Sequence, residues 1–168
     1  YFPTDPHVSD SPDARQIADN TVMVSSLMKC IGIEPKAALL SDSNFGSRDN
    51  MESRKMQQAL ALLHTEHPEI VVDGEMHADA ALSQEIRDRL FPDSAFKGSA
   101  NLLVCPSLES GNIAYNMVKM LGDGIPVGPI LVGTKHPVHI VTESTTVRGI
   151  VNMATMAAVD SLERKKAD

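Results

Sequence analysis

The chain of 168 residues carries a formal net charge of −7, with 42% hydrophobic and 22% charged residues. This length suits one domain, or one lobe of a larger one, that buries a sizeable core. The negative charge argues against nonspecific binding to nucleic acid or to an anionic membrane, and the sequence shows no signal peptide or membrane-spanning run, so we predict a cytoplasmic protein.

Strands and helices alternate along the sequence after a first segment, 1–10, whose Pro and Asp content predicts a linker or a cut end. Ser11 and Pro12 are typical of a helix start, and Gly32 is typical of its end. Short apolar runs predict buried strands, and apolar residues at helical spacing predict helices. In chain order, the predicted strands are 37–40, 69–73, 102–105, 127–132 and 138–141, and the further helices begin near Asn50 and span 78–90, 113–121 and 147–162.

Apolar strands separated by helices predict an α/β fold over residues 11–168, with a mostly parallel sheet covered by helices on both faces. In such sheets, ligands bind beyond the carboxyl ends of the strands. Segments 41–48, 73–75, 106–107 and 133–135 each follow a predicted strand. We therefore expect these four segments to meet at one edge of the sheet.

The segment 41–48 has the sequence SDSNFGSR and lies between a predicted strand and a predicted helix. A small, hydroxyl-rich loop in this position presents backbone N–H groups to an anion. The loop has a single glycine and matches neither the P-loop nor the dinucleotide-binding fingerprint. A plain strand-to-helix turn explains the same residues, so both interpretations stay open.

An acidic cluster formed by Asp73, Glu75 and Asp79 also follows a predicted strand. These side chains suit metal ligation or general-base chemistry. They equally suit the start of the next helix, where negative charge is favoured. No histidine or second carboxylate pair supports the chemical interpretation, so we favour the helix-start one.

Histidines and cysteines give no metal-binding pattern. The histidines considered are His64, His67, His136 and His139. The first two lie near a predicted helix end, where cationic residues are favoured anyway, and no zinc-protease motif is present. Cys30 and Cys105 lie far apart in apolar elements, which favours buried thiols over a disulfide or zinc site. We predict no metal site in this chain.

A second polar helix start follows Pro106. Its residues are Ser107, Ser110, Gly111 and Asn112. Ordinary capping explains them, and the alternative is a second set of donors at the same edge as the first loop. Tyr115 lies one turn beyond Asn112 and suits stacking or hydrogen bonding to a ligand.

Five segments together resemble the C-terminal half of phosphate acetyl/butyryltransferases. They are residues 39–47, 73–81, 98–106, 111–115 and 128–133, in this order and spacing. The first loop, residues 32–36 and residues 137–140 are most similar to the transferase-like domain fused to large bacterial NADP-dependent malic enzymes. The resemblance implies the C-terminal lobe of a two-lobed phosphotransacetylase-like fold, related to the isocitrate/isopropylmalate dehydrogenase type. It also implies that acyl-CoA binds in the cleft between lobes.

The resemblance departs from active transferases at three positions. Active members carry a Ser-Arg pair after a Pro-containing loop and an Asp a few residues later. Counting from Pro137, the matching positions hold Thr142, Glu143 and Gly149. A carboxylate in place of a guanidinium removes the stabilisation of an anion and adds repulsion toward phosphate. We therefore predict no catalytic residues in this chain.

From the resemblance we predict a non-catalytic regulatory domain that binds acetyl-CoA and controls an attached malic enzyme. We expect NADP and a divalent metal in the catalytic part of that enzyme and no cofactor in this domain. The alternatives are an active phosphate acyltransferase lobe and a dimerisation module without ligand. The resemblance implies a homodimer through this lobe, a larger homo-oligomer of the parent, and a last helix packed on an absent first lobe. The predicted ligand-binding residues are Ser43, Asn44, Phe45, Gly46, Ser47, Arg48, Asn112, Tyr115, Thr134, Lys135 and Thr142.

Overall fold

The computed structural model describes residues 1–4, 10–94, 96–122, 127–143 and 145–167. Strands and helices largely alternate in these residues, as the α/β prediction requires. They are β1 (Phe2–Pro3), α1 (Ala14–Cys30), β2 (Ala37–Leu40), α2 (Met51–Glu66), β3 (Val72–Met76), α3 (Ala78–Leu82), α4 (Gln84–Leu90), β4 (Leu102–Val104), α5 (Leu108–Leu121) and α6 (Val147–Ala167).

The strands form one sheet in the order β1-β4-β2-β3, and every neighbouring pair is parallel. Successive residues of β2 point to opposite faces, so Leu39 packs with Met28 of α1 and Met56 of α2, whereas Ala38 packs with Ala80 of α3. Helices therefore cover both faces, and the predicted fold class is confirmed.

β3 contains a β-bulge, at which it has one more residue than its neighbour. Leu39 of β2 pairs with Gly74, whereas Leu40 pairs with Met76, so Glu75 is the extra residue. A Cβ atom on Gly74 would lie 2.8 Å from the Leu39 carbonyl oxygen, which explains why glycine is needed there. The predicted strand end at Gly74 was therefore wrong, because the bulge carries the strand on to Met76.

The helix starts follow local capping. Asn50 caps α2 as predicted, but α1 starts one residue after Asp13, beyond the predicted Ser11 and Pro12. The Asp13 carboxylate accepts from the Gln16 backbone N–H at 2.8 Å, and the Gln16 side chain accepts from the Asp13 N–H at 2.9 Å. The single helix predicted over 78–90 divides at Ser83, whose hydroxyl caps α4.

Two further predictions differ from the structure. Residues 127–132 and 138–141 form no strand in the described part of the chain, where the sheet consists of β1, β4, β2 and β3. Phe2 and Pro3 lie in β1 beside β4 and so belong to the sheet rather than to a linker. Residues 5–9 of that predicted segment lie outside the described residues.

Candidate functional site

The carboxyl edge of the sheet brings together the loop after β2, the end of β3 and the starts of α2 and α5. The Ser41 N–H donates to the Met76 carbonyl at 2.9 Å, which joins the ends of β2 and β3. The Lys55 ammonium of α2 donates to the Pro106 carbonyl at 2.8 Å, which joins α2 to the turn before α5. Of the four segments predicted to meet at this edge, 41–48, 73–75 and 106–107 do so.

The loop of residues 43–48, here called the 43–48 loop, encloses the Glu75 carboxylate. Glu75 is 1% exposed, and its Oε1 accepts from the Ser43 hydroxyl at 2.6 Å and from the Gly46 N–H at 2.8 Å. The Glu75 carbonyl accepts from the Phe45 N–H at 2.7 Å. The Arg48 N–H donates to the Ser43 hydroxyl at 3.0 Å. The inner donors of the loop therefore bind the protein's own carboxylate.

The outer side of the loop carries an exposed ion pair. The Arg48 guanidinium donates to Asp42 at 2.6 Å, and the Asn50 side-chain amide donates to the same carboxylate at 3.1 Å. The Asn50 amide, followed by the Arg48 charge, holds the pKa of Asp42 below its ordinary value. Exposed ion pairs contribute little free energy, so Arg48 can leave Asp42 and bind another anion at low cost.

An open concavity of about 450 Å³ lies beside this ion pair. The start of α2 lines it, with residues Asp49, Asn50, Met51, Arg54, Lys55 and Gln58. Arg54 is bound to Asp49 through two hydrogen bonds of 2.5 and 2.7 Å. Lys55 is paired with Glu52 at 2.5 Å, so both cations of the concavity are paired with carboxylates, at the positive end of a helix dipole.

Phe45 forms the tip of the 43–48 loop. Its φ of +49° lies in the left-handed region, which is unusual for a bulky residue. Its ring stacks on Phe91 with centroids 4.2 Å apart and also covers the cluster around Ala38 and Ala80. Asn44 beside it accepts from the His77 N–H at 2.7 Å, so the loop is fixed to both β3 and the segment after it.

Asn112 and Tyr115 lie in α5, whose start is at this edge. Ser107 caps the helix by accepting from the Ser110 N–H at 3.3 Å, so capping accounts for these serines. The Asn112 carbonyl and side chain accept from the Asn116 amide at 3.0 and 3.1 Å. Tyr115 is half-buried and lies seven residues into the helix, about 10 Å from its start.

Thr134 and Lys135 contact α6 through their backbone. Their carbonyl groups accept from the Arg164 guanidinium at 2.7 and 3.3 Å. Arg164 lies near Cys30, the last residue of α1, and α1 ends where β2 begins. The described contacts of the two residues are with α6 and not with the 43–48 loop, so the single pocket containing them and the loop stays a prediction.

Of the positions that the resemblance matches to catalytic residues, Thr142 and Glu143 precede α6 and Gly149 lies in its first turn. Thr142 accepts from the Thr145 N–H at 2.9 Å through its carbonyl, and the Gly149 N–H donates to the Thr146 hydroxyl at 3.1 Å. Thr142 and Glu143 are exposed. This turn serves as the start of a helix in the described residues.

The acidic cluster serves three structural purposes. Glu75 binds the 43–48 loop, Asp73 accepts from the Ser94 hydroxyl at 2.6 Å, and Asp79 accepts from the Ala80 N–H at 2.7 Å at the start of α3. The described residues contain no group of three or more His, Cys, Asp or Glu side chains placed to hold a metal ion.

His139 and Cys105 have shifted pKa values because they are buried. Both ring nitrogens of His139 are buried and meet no hydrogen-bonding partner among the described residues. Burial lowers the pKa of His139, and the Asp160 charge partly opposes this effect. Burial raises the pKa of the Cys105 thiol to about 11, which fits the predicted buried thiol.

Arg87 is a buried charge that the sequence reading did not single out. Its guanidinium donates to the carbonyls of Ala80 at 2.9 Å, Phe96 at 3.2 Å and Gly98 at 2.7 Å, and it stacks over the Phe96 ring at 4.3 Å. The sequence clue to its burial was its spacing, because residue 87 lies two helical turns after Ala80 in the predicted helix 78–90.

The family model described as phosphate acetyl/butaryl transferase matches residues 1–158. The chain is 48% identical to the NADP-dependent malic enzyme of Escherichia coli over 161 residues and 50% identical to the NAD-dependent malic enzyme of Rhizobium meliloti over 160 residues. Each match covers 95% of this chain but only 21% of the relative.

A solved phosphotransacetylase from Streptococcus pyogenes superposes with a TM-score of 0.90 at 33% identity, over 95% of this chain and 48% of that one. The chain therefore spans about a fifth of the malic enzymes and about half of the phosphotransacetylase. Within the described residues, no helix combines the length and apolar character needed to cross a bilayer.

Proposed function

Because the chain belongs to the phosphate acetyl/butaryl transferase family, we propose that it is a non-catalytic regulatory domain that binds acetyl-CoA and controls an attached malic enzyme. The malic enzymes from E. coli and R. meliloti support the attachment, because this chain matches a fifth of each at about half identity. Glu143 and Gly149 support the loss of catalysis, since Glu143 puts a carboxylate where active members have a guanidinium for phosphate, and Gly149 lacks their later carboxylate. The parent then uses NAD or NADP and a divalent metal in its catalytic part.

The observation that carries the ligand proposal is a set of ion pairs on the outer side of the carboxyl edge whose cations can exchange a carboxylate for a phosphate. Arg48 pairs with Asp42, and the concavity beside it is lined by Arg54, paired with Asp49, and by Lys55, paired with Glu52. These charges suit the phosphate groups of CoA on a chain whose net charge is otherwise −7. The proposed contacts on this side are Arg48, Asn44, Ser47 and Phe45 from the loop and Asn112 from α5, with Tyr115 and Thr142 farther along the cleft wall.

Association with a second copy is part of the proposal. Exposed apolar side chains recur at helical spacing on α6, and we call Val147, Ile150, Val151, Ala154, Ala158 and Leu162 the α6 stripe. A matching row on α5 consists of Ile113, Met117, Met120 and Leu121. Apolar helix faces of this kind are typical of protein–protein contacts. They suit either a homodimer or the family's other lobe, and a cytoplasmic location completes the proposal.

The test uses the complete polypeptide that contains this chain. Acetyl-CoA is titrated by calorimetry, and malate oxidation is measured with and without it. We expect saturable binding and a changed malate rate, because an effector must favour one state of the enzyme over another. For Arg48→Ala we expect roughly 10- to 100-fold weaker binding, whereas Arg89→Ala, which removes an exposed arginine paired only with Glu85, leaves it unchanged.

An active acyltransferase is the second candidate, favoured by the likeness to the S. pyogenes phosphotransacetylase. Acetyl phosphate and CoA supplied to the same polypeptide distinguish the two. Saturable formation of acetyl-CoA would replace the regulatory proposal with the catalytic one. Absence of both binding and turnover would leave a dimerisation module.

A further inference from the structure

The 43–48 loop has the features of an anion-binding loop, yet its inner donors are already bound. The hydroxyl of Ser43 and the N–H of Gly46 converge on one oxygen of Glu75, at 2.6 and 2.8 Å. Ser43 itself is fully buried, and Glu75 is 1% exposed. A carboxylate that accepts from two converging donors in a buried site occupies the position that a ligand oxyanion takes in such loops.

The β-bulge explains how Glu75 reaches this position. Val72 belongs to the core cluster under α1 and α2, whereas Met76 belongs to the cluster on the opposite face, although the two residues are four positions apart. In an unbroken strand both would lie on one face. The extra residue at the bulge is Glu75, and its side chain leaves the alternation and points into the loop.

We propose that the 43–48 loop is an intramolecular anion-binding site whose permanent anion is the Glu75 carboxylate. The loop is therefore shaped before any ligand arrives, and Glu75 is its positioning residue. Ligand phosphates then meet only the outer groups, such as the Arg48 guanidinium. This inference concerns the loop itself and does not need acetyl-CoA to be the effector.

Chemical rescue tests the proposal in the complete polypeptide. Glu75→Ala leaves the Ser43 and Gly46 donors without an acceptor, and we expect the unfolding temperature of this domain to fall by about 5–15 °C. Formate supplies a carboxylate of matching size and is expected to restore part of the loss in a saturable way. Formamide, which has the same size without the charge, is expected to restore little.

Two outcomes overturn the proposal. If formate and formamide restore stability equally, Glu75 acts by filling space rather than as an anion. If neither restores it, the loop does not bind a free carboxylate. Glu69→Ala is the matched control, because this glutamate is 61% exposed and its partners, His67 and Lys29, are on the surface side, so formate at equal ionic strength should have no effect on it.

A second variant covers the case in which Glu75→Ala does not fold. Glu75→Gln keeps the shape and one acceptor oxygen but removes the charge. We expect it to be less stable than wild type, and hydrogen exchange at the Gly46 and Arg48 amides to be faster by about tenfold. Wild-type stability and exchange in Glu75→Gln would overturn the proposal without the alanine variant.

Discussion

The 43–48 loop and the α6 stripe differ in whether their side chains find partners within this chain. The loop binds its own buried carboxylate and is fixed to β3 by hydrogen bonds of 2.6 to 2.8 Å. The stripe presents Val147, 80% exposed, and its apolar neighbours to solvent. The inner donors of the loop are satisfied within this chain, whereas the apolar side chains of the stripe are exposed in the described residues. Changes in these two regions should therefore affect different measurements, namely unfolding and association.

The largest effect is expected in the buried network beside the loop. Arg87→Met leaves the carbonyls of Ala80, Phe96 and Gly98 without a donor, so we expect a loss of about 3–5 kcal/mol in the free energy of unfolding. Denaturant unfolding measures this loss. Arg89→Met, two residues away and exposed, is the control and should change it by less than about 0.5 kcal/mol. Equal losses in the two variants would show that the buried hydrogen bonds of Arg87 stabilise the fold no more than an exposed ion pair does.

The next effect concerns the α6 stripe and tests the other side of the comparison. Val147→Asp with Ile150→Asp is expected to weaken self-association roughly 100-fold, about 2.7 kcal/mol, with little effect on unfolding of the monomer. Analytical ultracentrifugation of the complete polypeptide measures it. Leu90→Asp with Phe91→Asp places the same two charges on an exposed apolar pair at the end of α4 and should leave the oligomer unchanged. An unchanged oligomer in the double variant would assign the stripe to another lobe of the same chain.

A smaller effect is expected where α6 meets the segment after α5. Arg164→Met removes the donor to the Thr134 carbonyl and leaves Asp160 without its cation. We expect several-fold faster hydrogen exchange in residues 133–141 and no change in the 43–48 loop. Lys166→Met removes a nearby exposed cation that pairs with Glu163, and it serves as the control. Faster exchange in the loop would show that the two regions are linked.

The smallest effect is a pH dependence at His139. The folded ring has a lowered pKa because it is buried, whereas the unfolded ring titrates near 6.5, so the unfolded chain binds more protons below that pH. Stability is therefore lost as pH falls from about 7.5 to 5.5. His139→Gln should reduce this loss, and His136→Gln, at an exposed position three residues away, should not. Identical pH profiles in the two variants would contradict the role of His139.

The sequence predicted well those features that depend only on residues close together in the chain. The strand 37–40, the Asn50 cap and the loop position follow from local patterns, and the structure agrees at each. Residues 127–132 and 138–141 have strand-like composition but lack a neighbouring strand, which no local pattern reveals. Glu75 and Arg87 take their roles from a bulge and from burial, and both depend on the assembled sheet.

The bulge in β3 makes residue number, as well as residue type, a constrained quantity at this point in the chain. Deleting the extra residue would return β3 to plain alternation, with Val72 and Met76 still on opposite faces, but it would withdraw the carboxylate from the loop. A substitution at Glu75 changes one side chain, whereas a deletion removes the bulge itself. A chimera that joins this domain to a related one within β3 must therefore preserve the length of the strand before it preserves its composition.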